Sequence, residues 1–131
     1  MVEQRILDSF QTMWGPFPEP VMLIHKNRQI LAVNDIARGL GIPVGAKCFN
    51  LNPEVGPGES HCRSCMANLA LKTGETVSTK SEMGGLPIIG YWMPLKEVPE
   101  IYVHFGIGTA ESLKASLEAK PAAQPTDLVS L

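Results

Sequence analysis

The chain has 131 residues, with 11 Lys+Arg against 13 Asp+Glu and a formal net charge of −2. Neutralising a phosphate backbone needs a clustered basic excess, so this balance excludes a general nucleic-acid binder. At 44% hydrophobic and 18% charged, the chain is apolar enough to fold and too short for two ordinary domains.

A domain of this size builds a core without disulfide staples, so the three cysteines are not needed as scaffolding. Their odd number, and an N-terminus (MVEQRILDSF) without the continuous apolar stretch of a secretory signal, place the expected compartment in the reducing cytoplasm. No apolar run approaches the about 18 residues needed to span a bilayer, so no membrane is expected.

Val2, Ile6, Leu7, Phe10 and Met13 recur at helical spacing and stop before Gly15-Pro16-Phe17-Pro18, which predicts an amphipathic helix over 2–13. Val21-Met22-Leu23-Ile24, the polar stretch His25 to Gln29, and Ile30-Leu31-Ala32-Val33 read as strand, turn, strand. Asn34 or Asp35 caps a short helix carrying Ile36, Ala37 and Leu40, ended by Gly39 and Gly41. Residues 42–60 hold Pro43, Gly45, Pro53, Gly56, Pro57 and Gly58 and read as a loop with at most short helical turns.

Ser60 then caps a longer helix in which Cys62, Cys65, Met66 and Leu69 follow the i, i+3, i+4, i+7 template, with Gly74 ending it in the left-handed region. Three strands follow, Thr76 to Met83, Ile88 to Leu95 and Ile101 to Ile107, separated by Gly84-Gly85 and by Glu97-Val98-Pro99-Glu100. Such short connections favour antiparallel neighbours. A helix from Ala110 to Lys120 and a disordered Pro/Ala-rich tail, PAAQPTDLVSL, complete the pattern.

The segment PVMLIHKNRQILAVNDIARGLGIPVGAKCFNLNP resembles the opening half of a PAS domain, and the order strand, strand, helices, three strands from Val21 to Gly108 matches that fold over about two-thirds of the chain. The resemblance implies an α+β fold: a PAS-like antiparallel five-stranded sheet with helices on one face and an N-terminal amphipathic helix. The expected divisions are residues 1–18 for the N-terminal helix and linker, 19–110 for the PAS-like domain, and 111–131 for the C-terminal helix and tail. More narrowly, GAKCFNLNPEVGPGESHCRSCMANLALKTGE resembles a bacterial sensory subgroup with G-x-x-C-[YF], a loop, and C-x-x-C opening the longer helix. Some members of that subgroup are thought to hold iron–sulfur clusters or other metals, and others have no assigned ligand. The resemblance therefore makes Cys48, Cys62 and Cys65 a candidate site for an iron–sulfur cluster or zinc.

Two cysteines separated by two residues bring both sulfurs to one metal, and the first turn of a helix supplies unpaired amides that favour thiolate. With Cys48 packed beside that helix start, three thiolates converge and one ligand is lacking; His61, adjacent to Cys62, is the local candidate for a Cys3His set. A four-iron cluster on three cysteines leaves one iron to another ligand. Two alternatives stay open: buried thiols on a core-facing helix, and a metal-free dithiol switch at Cys62 and Cys65.

Two other cofactor readings fail on detail. Covalent c-type haem requires C-x-x-C-H, whereas His61 precedes the pair. A PAS flavin photoreceptor places its cysteine in G-x-N-C-R-F-L-Q, and GAKCFNLN lacks the Asn, Arg and final Gln. Trp92, Tyr91, Tyr102 and Phe105 read as sheet-face packing or pocket lining, and His104 as a polar-face or satisfied core histidine. Gly84-Gly85 and Gly106-Ile107-Gly108 do not form a phosphate loop. No catalytic constellation stands out, and the chain is not expected to be an enzyme.

The leading expectation is a cytoplasmic PAS-type sensory or regulatory domain in which a cysteine-ligated metal or iron–sulfur centre senses redox state or a ligand and signals to an unidentified protein partner. The alternative is a metal-free interaction module that binds a protein or a small organic ligand. The apolar face of helix 2–13 needs the sheet or a second subunit to cover it, which suggests a homodimer.

Overall fold

The computed structural model describes residues 3–52, 55–62 and 64–118, with side chains of the last helix described through Ala115. The first helix, α1, spans Gln4–Trp14 and buries Ile6 and Phe10, one turn apart, in its own chain's sheet. Each such burial stabilises by roughly 1.5–3 kcal/mol. The sheet thus covers the main apolar residues of α1 without a second copy, leaving Met13 exposed at its rim.

Strands β1 (Val21–His25) and β2 (Ile30–Val33) form where alternation and β-branching predict them. A register shift in their pairing puts Leu31 and Ala32 against the α1 side while Ile30 and Val33 join the opposite cluster. Helix α2 (Asp35–Gly39) follows at once, and residues Cys48–Leu51 make a single 3-10 turn inside the long loop.

The next helix differs from expectation. Helix α3 spans Ala67–Thr73, so Cys62 and Cys65 precede it instead of occupying its first turn. Cys62 and Cys65 are joined by a turn of their own, with the Cys65 N–H donating to the Cys62 carbonyl at 3.1 Å, and Met66 sits outside helical geometry at φ −109° and ψ 15°. The buried residues of α3 are Ala67 and Ala70, while Leu69 is 44% exposed. Gly74 ends the helix at φ 71°, as its placement predicts.

Strands β3 (Val77–Met83), β4 (Leu86–Leu95) and β5 (Val98–Ile107) complete the sheet. Met83 pairs with Leu86 across Gly84-Gly85, whose φ values of 60° and 84° are those of the tight hairpin turn that matches strand twist. The β4–β5 connection is shorter than predicted: Leu95 pairs with Val98 across Lys96-Glu97, and Pro99 lies in β5 beside a register shift at Pro94/Leu95, where no ladder N–H is required of it. Helix α4 spans Thr109–Glu118, and the tail expected to be disordered lies outside the described residues.

The sheet is antiparallel, in the order β2-β1-β5-β4-β3. Helix α1 covers one face through Val21, Leu23, Ala32, Ile101 and Val103; α2, the 3-10 turn and α3 lie over the other through Met22, Ile24, Ile30, Val33, Trp92 and Tyr102. Asn34, fully buried, ties these layers together. Its Oδ1 accepts from Val21 N–H at 2.9 Å and caps α2 at Ala37 N–H at 3.1 Å. Its Nδ2 lies within 3.3 Å of the carbonyls of Trp14, Phe17 and Glu19, where its two protons are shared.

Candidate functional site

On the face away from α1, a cavity of about 540 Å³ opens between the sheet and the 3-10 turn. Cys48, Cys62 and Cys65 all line it, together with Arg28, Trp92, Tyr102 and His104. The size falls within the ordinary range for small-molecule sites, about 300–1,000 Å³.

Backbone pairing places Cys48. The segment 45–48 runs beside the β1–β2 hairpin: Gly45 N–H donates to the Ile30 carbonyl, Ile30 N–H to the Ala46 carbonyl, and Cys48 N–H to the Arg28 carbonyl, each at 2.8 Å. Cys48 thereby packs into the cluster of Ile24, Trp92 and Tyr102, and Cys65 reaches the same cluster from the turn before α3. Cys62 lies beside Asn52, whose Nδ2 donates to its sulfur at 3.4 Å. All three cysteines are half-buried free thiols.

Burial pushes the Cys48 thiol up to about 11, and the nearby Cys65 and Cys62 add to the rise. Arg28 and a hydrogen bond from the Tyr102 hydroxyl oppose it without reversing it. Burial likewise raises Tyr102 above the usual phenol value, so Cys48 and Tyr102 face the cavity as neutral groups at pH 7. His104 stacks on Trp92 with ring centroids 4.7 Å apart, and its Nδ1 is 2.8 Å from the Tyr91 carbonyl. A carbonyl only accepts, so Nδ1 carries the proton, and in the neutral ring Nε2 is left as an acceptor. Burial holds the His104 pKa below the ordinary histidine value, the Tyr91 hydrogen bond notwithstanding.

The sequence reading grouped the three cysteines, and all three border one cavity. His61, the expected fourth ligand, is exposed and outside the lining. Among the described residues no group of three or more His, Cys, Asp or Glu side chains is positioned to hold a metal ion. As they stand, the thiols do not form a metal or cluster site. With Cys62 and Cys65 ahead of α3, the favourable first-turn position expected for them is also missing.

Arg28 escaped the sequence reading, since an arginine within His25-Lys26-Asn27-Arg28-Gln29 has the signature of a solvated turn. It is 5% exposed. Nothing in the local pattern separates it from Lys26, which is exposed. His104 and Tyr102 were legible as strand residues, and their orientation toward the cavity follows from the register of β5, where Tyr102 faces Ile24 and His104 faces Met22.

No family model matches the sequence, and no curated protein matches it significantly. Solved structures are similar. A domain of an HTR-like protein from Haloarcula marismortui matches at TM-score 0.51 with 18% identity, over 68% of this chain and 95% of that one. The photoactive yellow protein domain from the sensor histidine kinase Ppr of Rhodospirillum centenum matches at TM-score 0.48 with 16% identity, over 80% and 98% of the two chains. The PAS domain of BvgS from Bordetella pertussis matches at TM-score 0.45 with 15% identity, over 89% and 97%. With its five-stranded antiparallel sheet in the order β2-β1-β5-β4-β3 and helices packed against it, the chain has a PAS-like α+β fold.

Proposed function

We propose that the protein is a PAS-type sensory or regulatory domain, with residues 19–110 as its sensing unit, that responds to a small organic ligand in the cysteine-lined cavity and signals to a protein partner. The observation that carries this reading is the open cavity of about 540 Å³ against the central strand, whose Tyr102 and His104 contribute to the wall. Strand β5 pairs with both β1 and β4, so an occupant that favours one packing of these side chains biases the whole sheet. The cytoplasm is the proposed compartment, supported by three unpaired thiols and by the absence, among the described residues, of a helix long and apolar enough to cross a membrane. A homodimer is the proposed assembly, supported by the exposed Met13 at the rim of α1.

A second reading takes the three thiols that border one cavity as ligands of a zinc or iron–sulfur centre on Cys48, Cys62 and Cys65, which requires them to come closer together than they stand. A third rests on the tight turn joining Cys62 to Cys65, which suits a reversible dithiol.

One preparation separates them. Protein purified without oxygen is examined by visible spectroscopy, metal analysis and native mass spectrometry, then mildly oxidised. The first reading expects metal-free protein with a non-covalent organic mass, or one whose Trp92 and His104 NMR signals shift on ligand addition. Stoichiometric zinc or iron, lost in Cys48→Ser, supports the second. A Cys62–Cys65 disulfide that alone alters those signals supports the third. Metal-free protein that is indifferent to both ligands and oxidation overturns all three.

A further inference from the structure

Arg28 is the single cationic side chain lining the cavity among the described residues. Its hydrogen bonds go to neutral groups: one terminal nitrogen donates to the Lys26 carbonyl at 2.6 Å and the other to Asn68 Oδ1 at 3.0 Å. Among the described residues, its buried Nε–H has no hydrogen-bond partner. Among the described residues no carboxylate forms an ion pair with this guanidinium, and Glu82, which also lines the cavity, is exposed on β3. The Tyr102 ring lies beneath it with the guanidinium carbon 6.0 Å from the centroid, a partial compensation. Cys48, neutral at pH 7 with its thiol pushed up to about 11, is not the missing counter-ion. A buried cation so supplied lacks the partner that burial ordinarily demands.

The backbone adds a separate observation. Arg28 N–H donates to the His25 carbonyl at 2.7 Å and His25 N–H to the Gln29 carbonyl at 3.0 Å, which makes the hairpin a turn followed by one left-handed residue. Arg28 is that residue, at φ 75°. The position belongs by preference to glycine. An arginine there is unfavourable both for the turn and for its own solvation, and strained residues of this kind cluster at active sites, ligand clamps and switch regions.

We propose that Arg28 is an anion anchor and that the cavity takes a small monocarboxylic acid with an apolar body, its carboxylate paired with the Arg28 guanidinium. The one cation that lines the cavity among the described residues matches a single negative charge better than a phosphate dianion, and guanidinium geometry matches a carboxylate. Trp92, Met22, Leu51 and Met83 supply apolar wall for the rest of the molecule. This inference rests on the reading of the cavity as a ligand site.

The test uses the full chain with three probes, benzoate, phenylacetate and hexanoate, against their uncharged amides, followed by calorimetry and by the NMR signals of Trp92 and His104. At least one acid is expected to bind in the millimolar range or tighter, and at least tenfold more tightly than its amide. The key variant is Arg28→Gly, which suits the left-handed turn: it is expected to fold with an undiminished urea midpoint and to lose the preference for the acid. An amide that equals its acid in the native protein, or an acid preference retained in Arg28→Gly, overturns the anion anchor while leaving the ligand cavity standing. No binding by any acid or amide at about 10 mM, roughly tenfold above a millimolar Kd, overturns both. A large loss of stability in Arg28→Gly shows Arg28 to be a structural residue and overturns the anchor.

Discussion

The backbone N–H of Cys48 donates to the carbonyl of Arg28 at 2.8 Å. A cysteine in the long loop is thereby fastened to the left-handed residue of the first hairpin, and the two side chains share one cavity. The hairpin therefore sets both the position of the thiol and the field it feels. Arg28 draws the Cys48 pKa down, and burial outweighs it.

Cys48 should consequently behave as an unreactive thiol at neutral pH. Alkylation with iodoacetamide in the native protein is expected to be slower at Cys48 than in the urea-unfolded chain at pH 8, and its rate should keep rising toward about pH 11, where the native thiol ionises. The same shift links to stability. Between the ordinary thiol value of 9.0 and about 11 the folded state holds a proton that the unfolded state has released, so this contribution is present below pH 9 and lost as pH rises through the interval. Urea midpoints of native and Cys48→Ser protein between pH 8 and 11 check it: the decline should be shallower in the variant.

His104 works in the opposite direction on the pH scale. Its folded pKa is depressed by burial, so on acidification the unfolded chain takes up the proton first and stability falls as pH drops below about 6.5. His104→Phe keeps a ring against Trp92 and removes the titration. Its stability between pH 7 and 5 should fall less than that of the native chain, measured by urea unfolding followed by fluorescence.

Asn34→Ala removes two acceptor contacts, to Val21 and Ala37, and the donors that serve Trp14, Phe17 and Glu19. Leaving several buried backbone groups unpaired should destabilise by about 3 kcal/mol or more, among the largest effects of any single substitution. Asn34→Asp, which retains the acceptor and loses the donors, should be destabilised as well. Chemical denaturation of the two variants measures the split between capping and bridging.

Glu19 holds the start of α4. Its carboxylate oxygens accept from Gly108 N–H at 2.7 Å and Ala110 N–H at 2.8 Å, across 89 and 91 residues of sequence. Glu19→Ala should destabilise by about 1–2 kcal/mol and speed hydrogen exchange at the Ala110 amide well above that at Val103 in the sheet centre. Equal acceleration at both would show that the loss spreads beyond the helix terminus.

The sheet was legible because β-branched and aromatic runs in β1, β2 and β5 carry a local signal, and the hairpin at Gly84-Gly85 declares its turn chemistry. Asn34 was legible as a cap, but its three carbonyl partners come from residues 14–19 and have no local mark. Helix α3 starts later than the pattern predicts: Cys62, Cys65, Met66 and Leu69 satisfy helical spacing, whereas packing selects Ala67 and Ala70 to meet Trp92 and Tyr102. Close approach to two large rings favours methyl groups, which a hydrophobic pattern ranks below Leu and Met. Arg28 was hidden for a different reason: turn register decides whether a charged side chain meets water or the interior, and composition does not encode register.

Strand β5 sends Tyr102 and His104 to one face and Val103 and Phe105 to the other, with a single layer of backbone between them. Enlarging a side chain on either surface must tilt the same peptide planes. A double substitution of His104 with Val103 should therefore show strong epistasis although the two side chains face opposite sides of the sheet, making this ribbon the place where the two halves of the molecule are mutationally inseparable.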